Sequence, residues 1–367
     1  VRLETIRVHS VTLPLRSPFV TSVENEVDRP VLIVEVEADG LRGYGEVAIN
    51  DNPWFFCETR ATALVMLRDF LAPMALAADF EDPDNVPRVF DRVRGWTFAK
   101  AGLEGAILDL LAKRAGVPLY RFLGGERRSV PCGTSIGMEN TVEAMMERVD
   151  AAVAADTSRV KVKITPGFDV EVLETIRSRY PDIPLMADAN EAYGPADMDL
   201  LASFDRFGLL MLEQPFPDKR LDLHADLAAM IETPICLDDA IHDLETARLA
   251  HRIGALGILN VKAPRMGGWI RSRDAAAWCA DNGIPAFVGG LVDTGIGKSF
   301  NLALATCRGL ELPADATPSA HHFVDDLVDP PITMADGFWT PPEEPGIGVE
   351  VDRDRLVSNT TLEMHPN

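Results

Sequence analysis

The spacing of apolar positions divides the chain into two textures. Over roughly the first 50 residues the period is two. Val8-His9-Ser10-Val11-Thr12-Leu13-Pro14-Leu15 and Pro30-Val31-Leu32-Ile33-Val34-Glu35-Val36-Glu37 read as strands, Ala38-Asp39-Gly40 as a turn, and Leu41 to Glu46 as the return strand. From Glu58 to about Leu123 the period becomes helical, with Ala101, Leu103, Ala106, Ile107, Leu110 and Leu111 on one stripe. Strands followed by a block of helices predict an α+β unit over residues 1–125.

Past Gly124-Gly125 short apolar runs alternate with amphipathic stretches. Strands are predicted at 131–137, 159–164, 184–189, 208–214, 234–239, 257–263, 284–290 and, more weakly, 310–316. Helices are predicted at 141–156, 169–180, 194–206, 223–232, 244–254, 268–283 and 294–309. This βα rhythm over 126–317 implies parallel strands with crossover helices, closed as a barrel rather than left as an open sheet. Residues 318–367 are rich in Pro and Gly, carry one strand-like run from Gly348 to Asp352, and are expected to pack back on the N-terminal unit.

Length and charge narrow the partners. A chain of 367 residues has room for a barrel and one further unit. Its net charge of −22 repels phosphate backbones and anionic lipid, which argues against nucleic-acid or membrane-surface binding. An anionic substrate would then need local cations. The five cysteines are scattered without a CxxC pair, no stretch approaches a membrane span, and the N-terminus lacks a signal-like apolar run. A cytoplasmic location is expected.

Candidate chemistry lies at the C-terminal ends of the predicted strands, where a barrel carries its active site. Lys161 and Lys163 are two residues apart on one strand, so alternation puts both on one face. Asp188, Glu213 and Asp238 follow at equal intervals of one βα unit, bringing three carboxylates to corresponding places on neighbouring strands. Converging carboxylates need a cation among them or raised pKa values. An oxygen-only set favours a hard ion, Mg²⁺ first and Mn²⁺ as a substitute. Lys262, on a later strand, can face Lys163 across a substrate. A single KxK pair is usually a solvated strand edge, and a lone Asp at a strand end is often a helix cap. Capping preference does not account for Lys163 and Lys262, which cap poorly, so the conjunction points to chemistry.

These residues lie in motifs that resemble the enolase superfamily, and within it the muconate-lactonizing subgroup. The resemblance covers nearly the whole chain: AKAGLEGAILDLLAKRAGVPLYRFLGG at 99–125, KVK at 161–163, DAN at 188–190, EQP at 213–215, CLDD at 236–239 and NVKAPRMGG at 260–268. It implies a (β/α)7β TIM-like barrel under an N-terminal α+β capping domain that the C-terminal segment completes. It further implies Mg²⁺ on Asp188, Glu213 and Asp238, acid/base roles for Lys163 and Lys262, and Lys161 as a support for an enediolate. Asn190 would lie near the substrate carboxylate. Gly289 to Gly297 (GGLVDTGIG), the run Val130 to Gly137 and Arg265 are similar to the o-succinylbenzoate synthase/N-acylamino acid racemase family. That likeness places Ser135, Arg265, Gly290, Leu291 and Asp293 near the substrate. Asp239 and Asp293 stand where the family usually has Glu, one methylene longer. A homo-oligomer is expected by resemblance alone.

The chemistry so implied is removal of a proton α to a carboxylate in a small-molecule substrate. A free lysine, with a pKa of roughly 10.4, is a poor base near neutrality, and desolvation, a second lysine and a divalent ion would each lower it. With a β-hydroxyl leaving group the result is syn dehydration to o-succinylbenzoate, a menaquinone precursor. Without one, reprotonation from Lys262 gives racemisation of an N-acylamino acid, and a muconate-cycloisomerase-like reaction is a further alternative. Phe19, Thr21, Trp54 and Phe55 fall on two N-terminal stretches expected to act as lids over a bulky, partly apolar tail; alternatively, Trp54 to Phe56 begin the helix core.

Overall fold

The computed structural model describes residues 1–20, 25–126, 129–357 and 360–366. Three antiparallel strands open the chain: β1 (Thr5–Val20), β2 (Asn25–Ala38) and β3 (Leu41–Val47). The turn between β2 and β3 uses Asp39 and Gly40, both at positive φ (52° and 74°). A fourth strand, Thr360–Met364, adds antiparallel to the free edge of β1, with Ile6 opposite Met364. The C-terminal segment thus does return to the N-terminal sheet. The strand that docks there was not foreseen, because five residues with two apolar positions carry little periodic signal.

The helix Thr97–Ala115 packs against β2 and β3 and is buried from Phe98 to Ala112. Its stripe is correspondingly weak, since one face meets the sheet and another meets the barrel helices.

Eight parallel strands form the second body, nearly closed into a barrel: β4 (Val130–Ile136), β5 (Val160–Lys163), β6 (Leu185–Asp188), β7 (Met211–Glu213), β8 (Ile235–Leu237), β9 (Ile258–Val261), β10 (Ala286–Val288) and β11 (Ala314–Asp315). Neighbours pair in chain order, and β11 pairs with β4. The expected strand 310–316 is reduced to two residues plus a bridge from Leu310 to Ala286. Pro313 explains the interruption, because it has no N–H for the ladder. The expected helix 194–206 is also broken up, into 3₁₀ turns at Pro195–Asp197 and Ser203–Phe207 around Met198–Ala202. Its buried positions Leu201, Phe204 and Phe207 recur every third residue, which is the 3₁₀ period.

Inside the barrel, Met186, Met211, Cys236, Ile258 and Phe287 form one apolar layer contributed by β6 to β10. Two residues further along β6, β7 and β8 come Asp188, Glu213 and Asp238. Strand alternation therefore seats the acidic layer directly on a dry floor.

Two glutamates join the bodies. Glu46, at the end of β3, accepts from the Thr294 and Gly297 amides at the start of the Gly295–Leu304 helix. Glu104 accepts from the Ile270 amide at the start of Trp269–Asp281. Both carboxylates stabilise helix N-termini from outside the barrel.

Candidate active site

Strand register fixes most of the acidic layer. Lys163 lies opposite Asp188 across β5 and β6, and Asp188 lies opposite Glu213 across β6 and β7. On β8 the partner of Glu213 is Cys236, so Asp238 stands two residues further on rather than at the corresponding rung. That offset is the stagger of a closed barrel, and it keeps Asp238 on the inward face in the same layer as Asp188 and Glu213.

The three carboxylates are buried, at 1%, 0% and 0% exposure for Asp188, Glu213 and Asp238. Each holds a lysine. Lys163 Nζ donates to Asp188 Oδ2 at 2.6 Å, Lys161 Nζ to Glu213 Oε2 at 3.1 Å, and Lys262 Nζ to Asp238 Oδ2 at 2.7 Å. Lys161 is also 3.5 Å from Asp188, so the two lysines of the KVK run do share a face. Asn190, at φ 40°, accepts from Lys163 Nζ at 2.5 Å. Asn260 donates to Glu213 Oε1 at 2.5 Å. Gly289 makes room for it, since a Cβ there would lie 2.0 Å from Asn260 Oδ1.

Burial pushes Glu213 up to about 8, with Asp188 and Asp238 adding repulsion that Lys161 only partly offsets. Burial acts on Asp238 the same way, but Arg265 and Lys262 overcome it and hold that carboxyl well below the usual range. Lys161 and Lys262 are held above the usual lysine range: burial works against their charge, and Asp315 and Asp238 respectively outweigh it. These two ammoniums neutralise the acids beside them.

A magnesium ion fits the donor chemistry: three buried carboxylates, oxygen donors only, close enough to repel one another. Among the described residues, however, no three His, Cys, Asp or Glu side chains are arranged as an ion cage. The lysines occupy the oxygens for which such an ion would compete.

A cavity of about 110 Å³ opens over this layer. Of the residues singled out from sequence, Lys161, Lys163, Lys262, Asn190, Ser135, Gly290, Leu291, Phe19 and Phe55 line it. Trp54 does not, and is 68% exposed. The 52–58 stretch is not helical, so Phe55 and Phe56 do not begin a helix. Instead they stack edge-on, with centroids 4.6 Å apart, and Lys262 Nζ lies 5.9 Å from the Phe55 centroid.

Arg265 is buried away from the cavity, holding Asp238 and donating to Asp239 Oδ1 at 2.6 Å. Asp293 also lies behind the wall, accepting from the Leu291 amide and from Asn301 at 2.9 Å each. The shorter Asp side chains at 239 and 293 therefore still find partners. Thr21 lies outside the described residues.

Sequence reasoning passed over several groups. Gln214, at φ 40°, accepts from the amides of Asp238 and Ala240 and so ties the end of β7 to β8. Asp315 lines the cavity and accepts from Lys161 Nζ at 2.5 Å and from the buried Arg159. Gly133 leaves the space for Arg159, whose guanidinium would meet a Cβ at 3.0 Å. Arg29, Glu26, Asn50 and His322 line the cavity too. A weak eighth strand was the only signal for Asp315. Arg29 had none, since one arginine at the start of a strand reads as solvated.

A parallel barrel with lysines and carboxylates at the C-terminal ends of its strands, roofed by an α+β layer, defines a class of enzymes. Comparisons with known proteins place the chain more closely. Residues 3–124 match the mandelate racemase/muconate lactonizing enzyme N-terminal domain, and residues 144–355 match the enolase C-terminal domain-like family. An o-succinylbenzoate synthase of Geobacillus stearothermophilus is 39% identical over 98% of this chain and 96% of its own length. An N-succinylamino acid racemase of Thermus thermophilus is 36% identical over 95% of each chain. A crystal structure of an enolase superfamily member from Listeria innocua superposes with a TM-score of 0.96 at 33% identity, covering both chains entirely. The chain belongs to the enolase superfamily, in the branch that includes o-succinylbenzoate synthases and N-succinylamino acid racemases. Among the described residues no helix is long and apolar enough to cross a membrane.

Proposed function

We propose that the chain removes a proton α to a substrate carboxylate with Mg²⁺ as cofactor, and that syn dehydration to o-succinylbenzoate is its reaction. The observation that carries this reading is the convergence of Lys161, Lys163 and Lys262 on one cavity above three buried carboxylates. The relatives named for that reaction, alignable over nearly the whole chain, support the choice.

Asp188, Glu213 and Asp238 would hold the ion, which would supply positive charge to a carboxylate that becomes an enediolate. Lys163, turned toward Asp188 and Asn190, takes the α-proton through Nζ and returns it to the departing β-hydroxyl on the same face. Lys161, fixed by Asp315 and Glu213, keeps an ammonium beside the developing negative charge. Lys262, over the Phe55 ring, acts as a second cation. Residues 1–125 with 318–367 would close the site against water, and 126–317 would carry the chemistry.

A second reading, N-succinylamino acid racemisation, is favoured by one observation. Lys262 lines the same cavity as Lys163, so a second proton donor is at hand. Turnover of the cyclohexadiene hydroxy-acid precursor, measured beside racemisation of N-succinyl amino acids in D2O, tests both. Dehydration faster than racemisation supports the first reading. Turnover of neither substrate, with no deuterium entering the α-position, overturns both.

A further inference from the structure

Lys161 is suspended between two sets of acids. On one side its Nζ lies 3.1 Å from Glu213 Oε2 and 3.5 Å from Asp188 Oδ2. On the other it donates to Asp315 Oδ2 at 2.5 Å. The strands run β11, β4, β5, β6, β7, so Asp315 on β11 and the two floor acids on β6 and β7 approach Lys161 from opposite directions. Among the described residues that line the cavity, Asp315 is the one acid supplied by a barrel strand.

Asp315 is itself held in place. Its carboxylate also accepts from Nη2 of Arg159, a fully buried guanidinium that lies over the Phe287 ring at 4.5 Å. Its backbone is pinned as well. Asp315 pairs with Gly133 of β4, and the chain at Gly290 passes so close that a Cβ there would lie 2.5 Å from the Asp315 carbonyl oxygen. For Glu213 Oε2 to hold a divalent ion, Lys161 must release it. Stripping a buried ammonium of its partners is strongly destabilising, so Lys161 can let go of one acid only where another is already positioned to keep it.

We propose that Asp315 is a positioning residue for the metal site: it takes over the Lys161 ammonium and so frees Glu213 and Asp188 to hold the ion. This rests on the reading that Asp188, Glu213 and Asp238 bind Mg²⁺. The influence of Asp315 on metal affinity then passes through Lys161 and vanishes when that amine is removed. The plain field of one negative charge behaves differently, because it acts on the ion equally with or without Lys161.

The test is a double-mutant cycle read by calorimetric Mg²⁺ titration of the chelated, metal-free protein. Asp315→Asn should weaken Mg²⁺ binding by about tenfold, within the range for a lost outer partner. In the Lys161→Met background the same substitution should change the affinity by less than about twofold. Equal losses in both backgrounds are what a plain charge effect or a merely structural role predicts, and they overturn the proposal. So does an unchanged affinity in Asp315→Asn. A second measurement needs no variant. A crystal structure of the Mg²⁺-loaded chain should show Lys161 on Asp315 and withdrawn from Glu213, and Lys161 still bonded to Glu213 overturns the proposal. A wild type that takes up no ion brings down the metal reading and this inference with it. A wild type that binds Mg²⁺ without coupling between the two residues brings down this inference alone.

Discussion

The barrel end and the N-terminal wall of the cavity are held in place by different means. At the barrel end Lys163, Asp188 and Glu213 are rungs of one ladder, and backbone hydrogen bonds between strands set their spacing. On the wall Phe55 and Phe56 sit on a stretch with neither helix nor strand. A ladder cannot shift one group without shifting its neighbours. A loop can, at little cost to the remainder of the fold. The contrast suggests that the floor sets the reaction class and the wall sets which substrate is taken.

Substitutions can break that division of labour. The largest effect is expected at the floor: Lys163→Ala should lower turnover by about a thousandfold, within the range for a lost general base, while circular dichroism and melting temperature hold. Near-normal rates would remove Lys163 from the chemistry. Next is Gly289→Ala, whose Cβ would displace Asn260 from Glu213. Loss of such a support should weaken Mg²⁺ binding by about 10–100-fold in a metal titration. On the wall, Phe55→Ala should raise KM by less than about tenfold with little change in kcat, as expected when binding is lost equally from ground and transition states. Trp54→Ala, at an exposed side chain, should change neither. Equal losses at Phe55 and Lys163 would erase the distinction between wall and floor.

The seam between the regions gives a smaller, pH-dependent effect. Burial pushes Glu104 up to about 7 from its ordinary 4.5. The folded chain therefore binds a proton that the unfolded chain releases, and the stability this confers is complete below about 4.5 and lost as pH rises through about 7. The shift corresponds to a swing on the order of 3 kcal/mol. Relative to Glu104→Gln, the wild type should lose melting temperature between pH 5 and pH 8. A difference that stays flat across that range would contradict it.

Legibility in the sequence follows the same division. Strand ends at even intervals exposed the lysines and carboxylates, because alternation and the βα repeat are periodic and survive any detail of packing. The offset of Asp238 by two residues was hidden, since barrel stagger is a property of closure rather than of any one strand. Asp315 lay in a strand shortened by Pro313, and Gln214 acts through backbone amides that no side-chain pattern reveals. Arg29 and His322 come from elements far apart in sequence and meet only through tertiary packing. Trp54 shares its expected lid stretch with Phe55, but nothing local in the sequence tells an inward ring from an outward one.

Everything at the floor turns on whether the buried acids exist to hold a divalent ion or merely to pair with lysines. Calorimetric titration of the chelated, metal-free protein with Mg²⁺ decides between these. One ion per chain should bind to the wild type, and Glu213→Gln and Asp238→Asn should each abolish binding without unfolding the chain. Binding that survives both substitutions, or an intact wild type that takes up no ion, would contradict the account.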